Sequence, residues 1–207
     1  MILYLFGGYS IQNEEAQWCL IEKELDVISP SQVLYLGFAH SGKSGALSFL
    51  IKEKLSNLLG EKFLDASQKN DIDNAVKPLV FIDGGRDNLG LCGAVSRSIR
   101  LKDLILSASH VFAESAGAKF LGSKMRLSSA GSEAIDGLGL LKGVIIEPHY
   151  SQRQREKLLK KEMKDWGCSI GIGLDEACGI KIDTRTFPEE FEVLGDGLVE
   201  VLKLPLA

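Results

Sequence analysis

The feature that most constrains this chain is a regular alternation of short apolar runs with amphipathic stretches. Apolar runs at 1–6, 32–36, 78–82, 110–113, 143–146, 171–174 and 178–182 read as buried strands. The segments between the earlier runs carry apolar residues at helical spacing, as in Leu47, Leu50, Ile51, Leu55 and Leu58. Helices are expected at 14–25, 44–59, 89–100, 101–107 and 152–166, with another opening after Ser115. Strand–helix–strand units of this kind connect right-handedly and build a mostly parallel sheet covered on both faces. The 207 residues suit one α/β domain spanning 1–207, of flavodoxin-like character. Short strands at 192–194 and 199–202 are expected to form a terminal antiparallel hairpin at the edge.

In such sheets the ligand sites lie beyond the carboxyl ends of the strands. The chemistry should therefore follow the apolar runs, at Gly7-Gly8, 37–44, 83–88, 114–117 and 147–150. Composition narrows what that chemistry is. With 24 Lys+Arg against 28 Asp+Glu the net charge is −4, which offers no attractive field to nucleic acid or an anionic membrane. The four cysteines form no CxxC pair, so no zinc or iron–sulfur site is expected and the thiols read as reduced. The apolar start runs at once into Gly7-Gly8 and reads as a strand, not a leader; no run is long enough to span a membrane. A cytoplasmic protein, monomeric or homodimeric, with no cofactor and no metal is expected. Three histidines, His40, His110 and His149, are the only imidazoles.

Two segments compete for the site. Gly37-Phe-Ala-His-Ser-Gly42-Lys43-Ser44 fits G-x-x-x-x-G-K-[ST] between a strand and a helix, and Asp83 closes an apolar strand as a magnesium-binding acid would. That reading gives a nucleotide-binding enzyme, with Lys43 on the outer phosphates and Ser44 on Mg²⁺. The plainer alternative is a helix-opening loop capped by Ser41 or Ser44.

The second segment is Ser115-Ala116-Gly117-Ala118, where a strand breaks into a helix through small residues. This is the pattern of a nucleophile held on a strained turn, with the Ala116 N–H aimed at a developing oxyanion. Asp83-Gly84-Gly85 ends another strand and would present the Gly85 N–H as a second donor. Glu147-Pro148-His149-Tyr150 ends a later strand and would bring an imidazole to the serine as general base. His110 opens the strand before Ser115 and reads as scaffold.

Taken in order, these pieces resemble the S51 peptidase family, which includes aspartyl dipeptidase (peptidase E) and cyanophycinase. The resemblance rests on Gly7-Gly8, Phe81-Ile82-Asp83-Gly84-Gly85, Ser115-Ala116-Gly117-Ala118 and Gly137-Leu138-Gly139-Leu140-Leu141. It continues in His149-Tyr150-Ser151-Gln152-Arg153-Gln154-Arg155 and Gly171-Ile172-Gly173-Leu174-Asp175-Glu176. It implies a fold like the class I glutamine amidotransferases, with Ser115 as nucleophile, His149 as base, and Gly85 and Ala116 as the oxyanion hole. It places the triad acid between the nucleophile and the Gly-Leu-Gly-Leu segment, where Glu133 and Asp136 are the available acids and Glu133 is preferred. Asn88 falls near a polar substrate contact of the relatives, and Glu176 matches a family glutamate able to hold a substrate amino group or only to brace the site. Ala113-Glu114 stands where the relatives have Gly followed by Thr or Trp; Glu114 would pair, point away, or meet the substrate's α-amino group.

Arg153 and Arg155 follow the base by four and six residues. A guanidinium grips a carboxylate through two parallel hydrogen bonds. An arginine facing the pocket makes the substrate a small acidic peptide, an Asp-Xaa dipeptide or a β-aspartyl linkage, with Arg155 favoured by the resemblance. The expected reaction is acyl transfer through an acyl-serine. A binding member of the same fold without catalysis is the remaining alternative.

Overall fold

Strand β1 (Ile2–Phe6) organises the molecule because it has partners on both sides. It runs parallel to β5 (His110–Glu114), with Phe6 opposite Glu114, and antiparallel to β10 (Gly179–Asp183). The computed structural model describes residues 1–40, 50–128 and 133–204. Beyond β5 lie β4 (Leu79–Ile82), β2 (Val33–Leu36) and β3 (Phe63–Asp65), all parallel; beyond β10 lies antiparallel β11 (Glu192–Leu194). The main sheet is thus seven-stranded, in the order β11-β10-β1-β5-β4-β2-β3.

The inner strands are buried on both faces, and the two faces differ in chemistry. Leu3, Leu5, Leu34, Leu36, Val80, Ile82 and Val111 point to an aliphatic face. It is covered by α4 (Asn88–Arg97), α5 (Ile99–Ser107) and α6 (Ala116–Leu121). Tyr4, Phe6, Tyr35, Phe81 and Phe112 point to the other, under α1 (Glu14–Ile28) and α2 (Leu50–Leu59). Phe112 sits at the centre of that face, with ring centroids of Tyr4 at 4.3 Å, Phe6 at 5.8 Å and Phe81 at 6.2 Å. Truncating such a ring costs about 3–5 kcal/mol. The doubly covered, mostly parallel sheet expected from the apolar runs is present.

The sheet is not continuous, however. The strand carrying Glu147, β8 (Val144–Pro148), belongs to a separate three-stranded sheet, parallel to β9 (Ile170–Leu174), with antiparallel β12 (Val199–Lys203) outside. Helix α7 (Glu156–Asp165) packs on it through Leu159 and Met163. The expected terminal hairpin is therefore wrong. The strand at 192–194 pairs with β10 and the strand at 199–203 with β9, one in each sheet. β12 pairs along five residues of β9 where β11 would offer it three, which satisfies more backbone groups.

Helix α7 also begins later than 152. Arg153 N–H donates to the His149 carbonyl and Gln154 N–H to that of Ser151, with Gln154 at φ 51°, so 150–155 is a turn. The short α3 (Lys69–Asn74), the edge strand β3, and the hairpin of β6 (Lys124–Arg126) and β7 (Ala134–Asp136) carry too few residues to show a period. Phosphate-loop positions 41–44 lie outside the described residues.

Candidate active site

Three successive carbonyls at the end of β1 assemble the site. Ser115 N–H donates to Phe6 (3.0 Å), His149 N–H to Gly7 (3.0 Å) and Ala177 N–H to Gly8 (2.9 Å). The first segment leaves β5, the second β8 and the third β9, so this one loop pins together the ends of strands from both sheets. Gly8 has φ +93°, and a methyl group there would lie 2.7 Å from the His149 ring, so a side chain is excluded on both counts.

Ser115 has φ 48° and ψ −107°, outside the regions that suit a residue with a side chain. Strain of this kind costs about 1–3 kcal/mol and gathers where geometry serves function. Its cause is local: β5 must turn into α6 within one residue. Gly117 permits this, because a Cβ there would come within 2.2 Å of the Ile82 carbonyl. Gly117, among the small residues read from the sequence, is thus required by packing against β4.

Ser115 Oγ lies 3.2 Å from His149 Nε2. His149 Nδ1 lies 2.8 Å from Glu176 Oε1. An ionised carboxylate only accepts, which puts the imidazole proton on Nδ1 and leaves Nε2 to take the serine proton. Glu176 is itself held. Its Oε2 accepts from Asn13 Nδ2 at 3.0 Å, and its own N–H donates to Gln152 Oε1 at 3.2 Å. Asn13 Oδ1 in turn accepts the Ser10 N–H at 2.7 Å. The next residue back, Asp175, accepts from both the N–H and the hydroxyl of Ser151 (2.8 and 2.7 Å), tying the end of β9 to the turn after His149.

Burial would raise the Glu176 carboxyl, but the hydrogen bonds from His149 and Asn13 outweigh it, and its pKa is lowered. Burial depresses His149, assisted by Arg153 and Lys119 and opposed by Glu176; the net shift is downward. The group is therefore a neutral base at neutral pH.

This geometry corrects the sequence reading of the acid. Glu133 is exposed, its carbonyl accepting the Leu127 N–H in the β6–β7 hairpin. Asp136 is spent on exposed Lys124 at 2.5 Å. The acid on His149 comes instead from β9, because its parallel register sets Leu174 beside Pro148 and delivers the next residues beside His149. Glu176 is accordingly no free contact for a substrate amino group. Gln152 lies within the His149–Arg155 stretch but carries no mark of this role, and Asn13, in the loop after β1, has no pattern to mark it.

Asn88 is also reassigned. It is buried and its amide donates to the Arg126 carbonyl at 2.7 Å, holding α4 to β6 instead of facing a substrate. Gly85, at φ 146°, sits in the loop beside the serine, where a Cβ would come within 2.1 Å of the Ala39 carbonyl. Ala116 is the first residue of α6, and the first N–H groups of a helix have no acceptor within it. Gly85 and Ala116 thus remain the candidate oxyanion donors.

Arg153 is exposed on the turn after His149; Arg155 is half-buried, its Nε 3.8 Å from Glu147 Oε1. Arg153 feels the charges of both Arg155 and Arg86, so cations gather on this flank. His110 lies at the far end of β5 against Ser109 Oγ (3.0 Å), as scaffold. Asp83, the acid of the phosphate-loop reading, is buried and engaged: Oδ2 accepts from Tyr35 Oη at 2.5 Å and lies 3.0 Å from His40 Nε2, while Oδ1 accepts the Gly84 N–H at 2.7 Å. A carboxylate so committed is not presented to a magnesium ion.

No family model matches the chain. It is 28% identical over 141 residues to a cyanophycinase from Geminocystis herdmanii, covering 59% of this chain and 48% of that protein. The chain spans about half the length of the curated relative it matches. Among solved structures it is similar to a peptidase from an acI-B1 actinobacterium, with TM-score 0.65, 22% identity and coverage of 99% of this chain and 91% of that one. It is also similar to a putative peptidase E protein from Listeria monocytogenes, with TM-score 0.61, 15% identity and coverage of 99% and 98%. The likenesses to solved structures bear out the α/β fold. Among the described residues, no helix is long and apolar enough to cross a membrane.

Proposed function

We propose that this chain is a serine-type hydrolase that cleaves a peptide or isopeptide bond next to an acidic residue, through an acyl-enzyme on Ser115. The observation that carries the reading is the continuous relay of Ser115 Oγ, His149 and Glu176, with contacts of 3.2 and 2.8 Å. Each element of the relay has a chemical role. His149 Nε2 takes the hydroxyl proton as Ser115 attacks the scissile carbonyl. Glu176 fixes the tautomer and stabilises the imidazolium that forms. The N–H groups of Gly85 and Ala116 receive the oxyanion, and His149 returns the proton to the leaving amine. Water then resolves the ester by the same base. Every step uses side chains and backbone N–H groups of this chain.

The acidic substrate rests on Arg153 and Arg155, with Arg86 adding to the positive field beside an otherwise acidic molecule. Asp-Xaa dipeptides and β-aspartyl linkages share the carboxylate that this flank suits. A fluorophosphonate probe tests the reading: it should label the wild type and not Ser115→Ala, followed by cleavage assays on the two substrate classes. Absence of labelling in the wild type would sink it.

A further inference from the structure

The residue before the proposed nucleophile is a buried acid, Glu114, only 4% exposed, and the relay above makes no use of it. It does not point away. Its Oε2 accepts the Gly84 N–H at 2.9 Å, the same N–H that Asp83 Oδ1 accepts at 2.7 Å. A Cβ on Gly84 would lie 2.2 Å from Glu114 Oε2 and 3.0 Å from Ser115 Cβ, so the carboxyl fills the space beneath the turn. Its Oε1 reaches the spot against Gly8 that the His149 ring also touches. Buried in this way, it is no receptor for a substrate amino group.

Two carboxyl groups, 1% and 4% exposed, therefore converge on a single donor. Two adjacent buried carboxylates do not both ionise; one keeps a proton and donates it to the other. The surrounding donors decide which. Asp83 receives Tyr35 Oη and faces His40 Nε2, besides its own share of the Gly84 N–H. These donors occupy Asp83 as an acceptor and leave the shared proton on Glu114.

We propose that Glu114 is a positioning residue for the reaction above: as a neutral carboxylic acid donating to Asp83, it holds the Gly84-Gly85 loop in place and keeps a second negative charge away from the oxyanion. The inference rests on the serine-hydrolase reading for its catalytic consequence, but not for its chemistry. Burial first, then Asp83, drives the Glu114 pKa well above the ordinary carboxylate range, in agreement with the geometry. The other titratable groups facing the pair are Tyr9 after β1, Tyr35 on β2, His40 after β2, and His149 and Glu176 of the relay. Both tyrosines are pushed upward, by burial first and then by these acids, so they stay neutral.

Glu114→Gln keeps the shape, accepts from Gly84 and donates an amide N–H to Asp83, but cannot ionise. Infrared spectroscopy of unliganded protein at neutral pH should show the C=O stretch of a protonated carboxylic acid in the wild type and lose it in Glu114→Gln. A wild-type spectrum without that band, or one retained in the variant, overturns the proposal. Fluorophosphonate labelling rates across pH read the consequence. The wild type should lose about tenfold or more on the alkaline side, as a second charge forms a few ångström from the oxyanion. Glu114→Gln should label within about tenfold of wild type at neutral pH and lack that alkaline decline. An unchanged decline in the variant overturns the positioning role. If no serine is labelled at any pH, the hydrolase reading falls and the positioning role with it, while the infrared band still decides where the proton lies.

Discussion

The His149 N–H donates to the Gly7 carbonyl at 3.0 Å, which makes the end of β1 the support on which the imidazole rests. His149 itself has φ 52°, a conformation that a free chain leaves readily. The carbonyls on either side of Gly7 hold Ser115 and Ala177, so displacing this loop moves all three members of the relay at once. Gly8→Ala should do so, because the new methyl would lie 2.7 Å from the His149 ring on a backbone at φ +93°. Positioning errors of about 1 Å cost on the order of 100-fold in rate. The expected result is a loss of that size in the fluorophosphonate labelling rate, with circular dichroism unchanged. Near-normal labelling would show that the loop does not position the imidazole.

The choice of acid is tested by two glutamine substitutions. Glu176→Gln removes the charge that orients and stabilises His149, and should lower kcat/KM by about 10²–10⁴-fold, the range reached when a triad acid is neutralised. Glu133→Gln, on the exposed hairpin, should stay within about twofold. The reverse outcome would restore the acid expected from chain order. Asn13→Ala should fall between them, since it loosens Glu176 Oε2 without removing the carboxylate.

These two acids also show what the residues disclose unaided. Ser115 and His149 were legible because each closes an apolar run at a sheet edge, and Gly117 is small for a reason that packing on Ile82 makes plain. The acid was not, because chain order does not say which strand end meets Nδ1. That follows from β8 and β9 pairing in parallel in a sheet of their own, a division invisible in the apolar pattern. Glu176 stands in a recognisable motif, but only the pairing of β8 with β9 decides between holding a substrate amino group and bracing the site. The misplaced hairpin has the same origin, since 192–194 and 199–203 look alike until their partners are known. Asp83 was marked as the end of a strand, but nothing in one dimension brings Tyr35, His40 and Glu114 to it.

The pH profile has a definite sign. His149 must be neutral to take the serine proton, and its pKa is lowered, first by burial and then by the Arg153 and Lys119 cations against the opposing pull of Glu176. The acid limb of kcat/KM reports the free enzyme, so it should fall below the ordinary histidine value of about 6.5. Glu176→Gln removes a group that raises the pKa, and should move the limb further down while reducing the plateau. Stability follows the same linkage. Between about pH 6.5 and the lower folded value, the unfolded chain binds a proton that the folded chain does not, so the fold weakens as pH drops through that window. Urea midpoints measured across it for wild type and His149→Gln should converge at the acid end. A wild-type acid limb above about 6.5 would mean that the base is held as an imidazolium by Glu176 and that burial does not dominate.

The last prediction concerns stability and draws on a network two residues before the base. Arg126 is 2% exposed on β6, yet it is a guanidinium. Its Nη2 donates to both oxygens of Glu147 at 2.5 and 2.6 Å, and its Nη1 to both oxygens of Glu162 on α7 at 2.9 and 3.1 Å. Its carbonyl accepts from Asn88, so one residue joins β6, β8, α4 and α7 around the base of the site. Removing the cation leaves two buried carboxylates, Glu147 with a looser cation in Arg155 at 3.8 Å and Glu162 without its hydrogen-bonded partner. Arg126→Ala should therefore cost about 3–5 kcal/mol, the range for a broken buried pair. Replacing Arg126, Glu147 and Glu162 together by Met or Leu removes the charges in register with one another and should recover most of that loss. Urea unfolding of the three proteins distinguishes the cases: a loss below about 1 kcal/mol for Arg126→Ala would mean that water reaches the carboxylates and that the network is not dry. Because Glu147 lies on β8 two residues before His149, the triple variant should also slow Ser115 labelling while restoring the fold, separating what the charges do for the site from what they do for stability.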